Sequence, residues 1–155
     1  MAERVFLRPD RRGTRRRSRA SCHGFYQQTD RDLDSERKLQ KLKPLYSFMI
    51  RVRVPGGVAT PAQWQRLDAL ADAHANSTLK LTTRHTFHLH GVLRRDLRPT
   101  FQGFNEVLMA SIAGCGDVNR NVMCNTNPHK SAVHAGVYTA AVAISAHLTL
   151  RTTAY

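Results

Sequence analysis

Carboxylates are in short supply in this chain of 155 residues. Eleven Asp and Glu stand against 24 Lys and Arg, giving a formal net charge of +13. That balance points to an anionic partner: nucleic acid, lipid headgroups or a small polyacid. Part of the excess is local, because Arg11, Arg12, Arg15, Arg16, Arg17 and Arg19 crowd one short stretch and leave a body that is moderately basic. Cysteine is scarce too. Cys22, Cys115 and Cys124 are odd in number and form no CxxC pair. This argues against a secreted disulfide scaffold, and against a four-cysteine metal or cluster site completed by this chain alone. A reducing cytoplasm is the expected compartment. No apolar run is long enough to span a bilayer, and no secretory or lipidation signal is visible.

Three regions follow from the pattern. Residues 1–21 read as a disordered Arg-rich tail; Glu3, Asp10 and the shortage of serine argue against a transit peptide. Residues 22–44 read as an extended arm and a short, weak helix ending before Pro44. Residues 45–155 carry the folded domain. Its first strand is Ser47–Val54, with Phe48, Ile50, Val52 and Val54 on one face and Met49, Arg51 and Arg53 on the other. Pro55-Gly56-Gly57 ends it. Thr60-Pro61-Ala62-Gln63 opens a helix, with threonine as cap, proline at the first helical position and glutamine closing a capping box. Trp64, Leu67, Leu70, Ala71 and His74 continue that helix as its stripe.

Residues Thr78–Gly91 alternate with period two on both sides of a polar break at Thr83-Arg84-His85. Leu79, Leu81, Phe87 and Leu89 fall on one face; Lys80, Thr82, Thr86, His88 and His90 fall on the other. This is a hairpin with an apolar face and a basic one. A second helix is expected over Asp96–Ile112, burying Leu97, Phe101, Phe104, Leu108 and Ile112. After Gly114-Cys115-Gly116-Asp117, a fourth strand is expected at Val118–Cys124, then a turn at Asn125–Pro128. A last helix over Ser131–Leu148 carries Val133, Val137, Ala141, Ile144 and Leu148. The fold class is α+β: a ferredoxin-like βαββαβ sandwich with an extra C-terminal helix and a disordered basic N-terminal tail.

With the helices on the apolar sheet face, the other face holds Arg51, Arg53, Lys80, Thr82, His88 and His90, flanked by Arg84 and Arg120. Four readings of that face compete. A metal site would use His85, His88 and His90, but no carboxylate lies nearby in sequence and Lys80 and Arg84 would repel a cation. An RNA-binding sheet would stack bases on aromatics, but Phe48 and Phe87 fall on the buried side. A polycarboxylate cofactor or oxyanion suits converging guanidinium groups. A solvated basic face without ligand is the fourth.

The segments His23–Gln28, Phe48–Gly57, Leu79–Gly91 and Gly114–Val122 closely resemble, in order and spacing, the N-terminal part of the sulfite and nitrite reductase family. The likeness runs from about residue 22 to the C-terminus. The resemblance implies reduction of sulfite to sulfide, in sulfur assimilation, at a sirohaem coupled to a [4Fe-4S] cluster, with electrons from an NADPH-dependent flavoprotein partner. By motif match Arg51 and Arg120 would hold the substrate oxyanion. Lys80, Thr82, Thr83, Arg84, His88 and His90 would line the sirohaem, together with Arg53, Asn119 and Asn121. Lysine stands at position 80 where the family usually has arginine, and histidine at 85 and 88 where it usually has glutamine. The cluster cysteines, including the one that bridges to the sirohaem iron, and two active-site lysines would lie beyond Tyr155. The expectation is therefore an inactive fragment that needs the missing C-terminal half and binds no cofactor stably by itself. The alternatives are a sirohaem nitrite reductase fragment and a basic anion- or RNA-binding module. Neither a membrane nor nucleic acid is the expected partner.

Overall fold

A computed structural model describes residues 23–112 and 119–149. The Arg-rich tail, Cys22, the Gly114–Asp117 break with Cys115, and Val118 lie outside the described residues.

The chain opens with strand β1 (Phe25–Thr29) and helix α1 (Arg31–Leu39). Asp30 caps α1, its Oδ1 accepting from the Asp32 and Leu33 amides. The expected extended arm is thus a strand of the sheet. Strand β2 (Tyr46–Val52) follows, then a 3₁₀ turn at Pro55–Gly57 and helix α2 (Pro61–His74). The capping box that the sequence spells is present: Thr60 Oγ1 accepts from the Gln63 amide, and Gln63 Oε1 from the Thr60 amide. Strands β3 (Leu79–Leu81) and β4 (Phe87–Val92) make the hairpin. Helices α3 (Leu97–Glu106) and α4 (Ala132–His147) complete the elements.

The sheet order is β1-β2-β4-β3, with every neighbouring pair antiparallel. Phe25, Phe48, Ile50, Val52, Phe87, Leu89 and Val92 point to one side, where Leu67, Leu70 and Ala71 of α2 and Leu97 and Phe104 of α3 close over them. Leu89 and Val92 are three residues apart yet both fully buried, which strict alternation forbids. A bulge resolves it. Phe48 pairs with Val92 but Ile50 with Leu89, so β4 spends an extra residue there, and Gly91 takes it up with φ of +77°.

Four expectations change. Residues 119–124 are not a strand. The edge of the sheet beside β2 is occupied by β1, then by Ala110 bridged to Arg53, then by Val122, whose carbonyl accepts from the Gly56 amide at 2.8 Å. The second helix ends at Glu106 rather than Ile112: Leu108 turns left-handed with φ of +56° and is 92% exposed, and Ile112 is exposed too. Leu81 sits on the apolar face but at the free end of the short edge strand, where α2 and α3 no longer cover it, and is 68% exposed. Of the stripe assigned to α4 only Ala141 is buried, while Val133, Val137, Ile144 and Leu148 are exposed, because the helix packs chiefly on the Pro55–Gly57 turn.

Candidate functional site

Sheet register, not sequence proximity, assembles the site. Arg51 on β2 lies opposite His88 on β4, and His88 lies opposite Lys80 on β3. Three cationic or basic side chains therefore form one row across three strands, on the face away from the helices. Arg51 Nε donates to His88 Nε2 at 2.8 Å. A ring nitrogen that accepts cannot carry a proton, so the imidazole is neutral with its hydrogen on Nδ1. The electrostatics agree. Burial, then the charges of Arg51, His90 and Lys80, lower the His88 pKa to about 4. His90 stands beside it with ring centroids 5.9 Å apart, and burial and Lys80 lower its pKa as well.

The face also has an aromatic. Tyr26 pairs with Met49, which puts it on the Arg51 side of the sheet, and the Arg51 guanidinium carbon lies 5.4 Å from its ring centroid. Alternation within Phe25-Tyr26-Gln27 carried the signal, but only once β1 was recognised as a strand of the sheet. Met49, on the same face, is nonetheless buried.

At the hairpin bend, Thr82 and Thr86 close the loop through their hydroxyls at 2.6 Å, and the Thr86 amide donates to Thr82 Oγ1. The Thr82 side chain thus serves the turn itself. Thr83 and Arg84 are exposed at its tip. Asn121 fastens the distant segment to this bend: its Nδ2 donates to the carbonyls of Val54, Arg84 and His85. That bond brings the backbone carrying Asn119 and Arg120 beside the bend and the end of β2. Around it three buried polar atoms have no hydrogen-bond partner among the described residues: His85 Nδ1, Asn119 Nδ2 and Asn121 Oδ1. Arg53 goes elsewhere. Its guanidinium donates to Thr149 Oγ1 just after α4, and burial lowers its pKa.

Of the residues singled out from sequence, Arg51, Lys80, His88 and His90 share one surface. Arg84, Asn119, Arg120 and Asn121 gather at the adjoining bend. Arg53 and Thr82 are engaged by their own neighbours. Among the described residues no three His, Cys, Asp or Glu side chains converge as metal ligands would.

This architecture defines a class. Residues 40–107 match the family described as "Nitrite/Sulfite reductase ferredoxin-like half domain", and the chain belongs to that family through this half domain. Within it, the sequence is 61% identical over 133 residues to the "Sulfite reductase [NADPH] hemoprotein beta-component" of Myxococcus xanthus, a match covering 86% of this chain and 24% of that protein. Proteins of the same name from Geobacillus kaustophilus and Oceanobacillus iheyensis are 61% and 58% identical, each match covering 86% of this chain and 23% of the relative. The chain thus spans about a quarter of the length of the curated relatives it matches. Among solved structures, that titled "Structure of Mycobacterium tuberculosis NirA protein" superposes with a TM-score of 0.62 over 79% of this chain and 24% of that one, at 22% identity. At that identity the likeness is one of fold.

Proposed function

We propose that this chain supplies the basic sheet face of a sirohaem-dependent sulfite reductase, reducing sulfite to sulfide for sulfur assimilation. The observation that carries the reading is the Arg51–His88–Lys80 row with its 2.8 Å Arg51–His88 bond. It places fixed positive charge on a face to which the described strands contribute no carboxylate. Sirohaem bears many carboxylates, and sulfite is an oxyanion; both suit charge-assisted donors. The residues present fit such a group in a second respect. Asn119 Nδ2 and His85 Nδ1 are buried and unpaired beside the bend, and a buried polar group without a partner is costly unless a ligand completes it.

Lys80, Arg84 and His90 would hold the cofactor's carboxylates, with Asn119 beside them. Arg51 and Arg120 would hold the sulfite oxygens. Sirohaem and its [4Fe-4S] cluster would relay to the substrate the electrons that an NADPH-dependent flavoprotein partner delivers. The chain's own part is electrostatic. Cationic side chains set before the substrate arrives stabilise charge on the oxyanion without reorganising during reaction. The rest of the site comes from polypeptide corresponding to the remaining length of the relatives. No helix among the described residues is long and apolar enough to cross a membrane, and the working compartment is the cytoplasm.

The test is a chimera in which residues 23–149 replace the matching segment of the Myxococcus xanthus relative. The expected result is a sirohaem absorbance band and sulfide formation, with Arg51→Ala lowering sulfite turnover by about 10²-fold while the band persists. A chimera that binds sirohaem but turns over nitrite in preference would replace sulfite as the substrate. One that folds and binds no sirohaem would end the reading.

A further inference from the structure

Arg51 is gripped from two sides. Its Nε donates to His88 across the β2–β4 pair, and its guanidinium carbon lies over the Tyr26 ring from the β1 side. Each partner comes from a different strand, and both are set by register: Arg51 opposite His88, and Tyr26 opposite Met49, two residues before Arg51. The backbone under Arg51 is held too, its amide donating to the Gly24 carbonyl at 2.7 Å. An arginine side chain has about 2 kcal/mol of rotamer entropy to lose on being ordered. Here the Nε bond fixes the direction of the guanidinium plane and the ring restricts what remains.

We propose that His88, with Tyr26 as its second wall, is the positioning residue that aims Arg51 at the bound oxyanion. This rests on the reading of the face as an oxyanion site. Ordering Arg51 when the chain folds means that binding need not order it again, which is where preorganised sites gain affinity. The device needs a neutral acceptor at position 88. Burial and the surrounding charges of Arg51, His90 and Lys80 keep that imidazole unprotonated at neutral pH. Lysine in place of Arg51 would keep the charge and lose the Nε donor, so the grip is specific to guanidinium. Sequence reading placed His88 against the cofactor. The hydrogen bond gives it a different first task.

Nitrogen-15 NMR of the whole 155-residue chain tests this, with sodium sulfite as the probe. In the unaltered chain the Arg51 Nε–H resonance is expected to be sharp and the His88 Nε2 signal to be that of an unprotonated nitrogen. His88→Ala should broaden the Arg51 resonance by fast exchange with water and weaken sulfite binding about tenfold. His88→Gln should restore most of both, because its amide oxygen can accept from Nε. Tyr26→Leu should weaken sulfite binding by a smaller factor of roughly threefold and leave the His88 tautomer unchanged. An unchanged Arg51 resonance in His88→Ala, with backbone shifts of α2 confirming that the variant is folded, overturns the proposal. So does His88→Gln behaving like His88→Ala. Failure of the underlying reading looks different: sulfite would leave the Arg51 resonance of the unaltered chain unmoved, while the comparison between unaltered and His88→Ala protein still decides whether His88 holds Arg51.

Discussion

Replacing Gly24 with alanine should cost a large part of the domain's stability, and the reason is local. Gly24 has φ of +74°, a conformation in which an L side chain costs about 1–2 kcal/mol. Its carbonyl accepts from the Arg51 amide, and the neighbouring His23 carbonyl accepts from Ser111 Oγ. A Cβ at this position would run into the Ser111 carbonyl oxygen and lie 3.1 Å from that of Arg51. Both obstacles are backbone, so no rotamer change relieves them, and overpacking of this kind costs roughly 1–3 kcal/mol more. The sum, about 2–5 kcal/mol, compares with about 5–15 kcal/mol for a whole domain of ordinary stability. Urea unfolding followed by the fluorescence of the single Trp64, which meets Phe87 edge-on at 5.5 Å, reads it out. With a slope of about 2 kcal/mol per molar, in the middle of the usual range, the midpoint should fall by roughly 1–2.5 M. Gly136→Ala is the internal control. Gly136 lies inside α4 with nothing within 4 Å of its would-be Cβ, so alanine there should raise stability by up to about 1 kcal/mol. Equal midpoints for Gly24→Ala and the unaltered chain would refute the steric argument.

Two further predictions concern the site. His88 has a folded pKa of about 4, below the unfolded value, so the unfolded chain binds more protons between those two values and stability falls as pH drops through that window. Full conversion would give about 3 kcal/mol; the ring is half-buried, and solvent screening leaves roughly 1 kcal/mol. The unaltered chain should therefore lose about that much more stability than His88→Gln between pH 7 and pH 4, and parallel urea midpoints for the two would refute it. Asn121→Ala should free the segment carrying Arg120 from the hairpin bend, because its Nδ2 meets the carbonyls of Val54, Arg84 and His85. A loss of about 1–3 kcal/mol and faster amide exchange at Gly56 and His85 are expected, and unchanged exchange at both amides would remove Asn121 from that role.

Much of this is legible in the sequence, and the parts that are not share a cause. Period-two alternation in Thr78–Gly91 placed Phe87 inward and His88 outward, and the Thr60–Gln63 capping box fixed the start of α2. Both are short-range patterns whose physics lies within a few residues. What escaped was decided by pairing at long range. Val118–Cys124 reads as a strand by composition, yet β1 occupies the edge position beside β2, and Tyr26 was invisible as a site residue until that pairing was known. The bulge at Gly91 is also a matter of partner register. Leu108 and Val137 fit a helical stripe but end exposed, because periodicity says which residues share a face and not whether anything covers it.

The edge of β2 is completed by pieces from three parts of the chain: Phe25–Thr29 first, Ala110 next, Val122 last. This sets a timetable for synthesis. The first of these neighbours leaves the ribosome before β2 itself, and hairpin-like pairing between them forms early and locally. The last arrives 66 residues behind the Gly56 amide it must meet, since 122 − 56 = 66. Closing so long a loop is slow relative to local contacts. The Gly56 amide just past β2 is thus the last group along this edge to find its acceptor, long after Arg51 has met the Gly24 carbonyl.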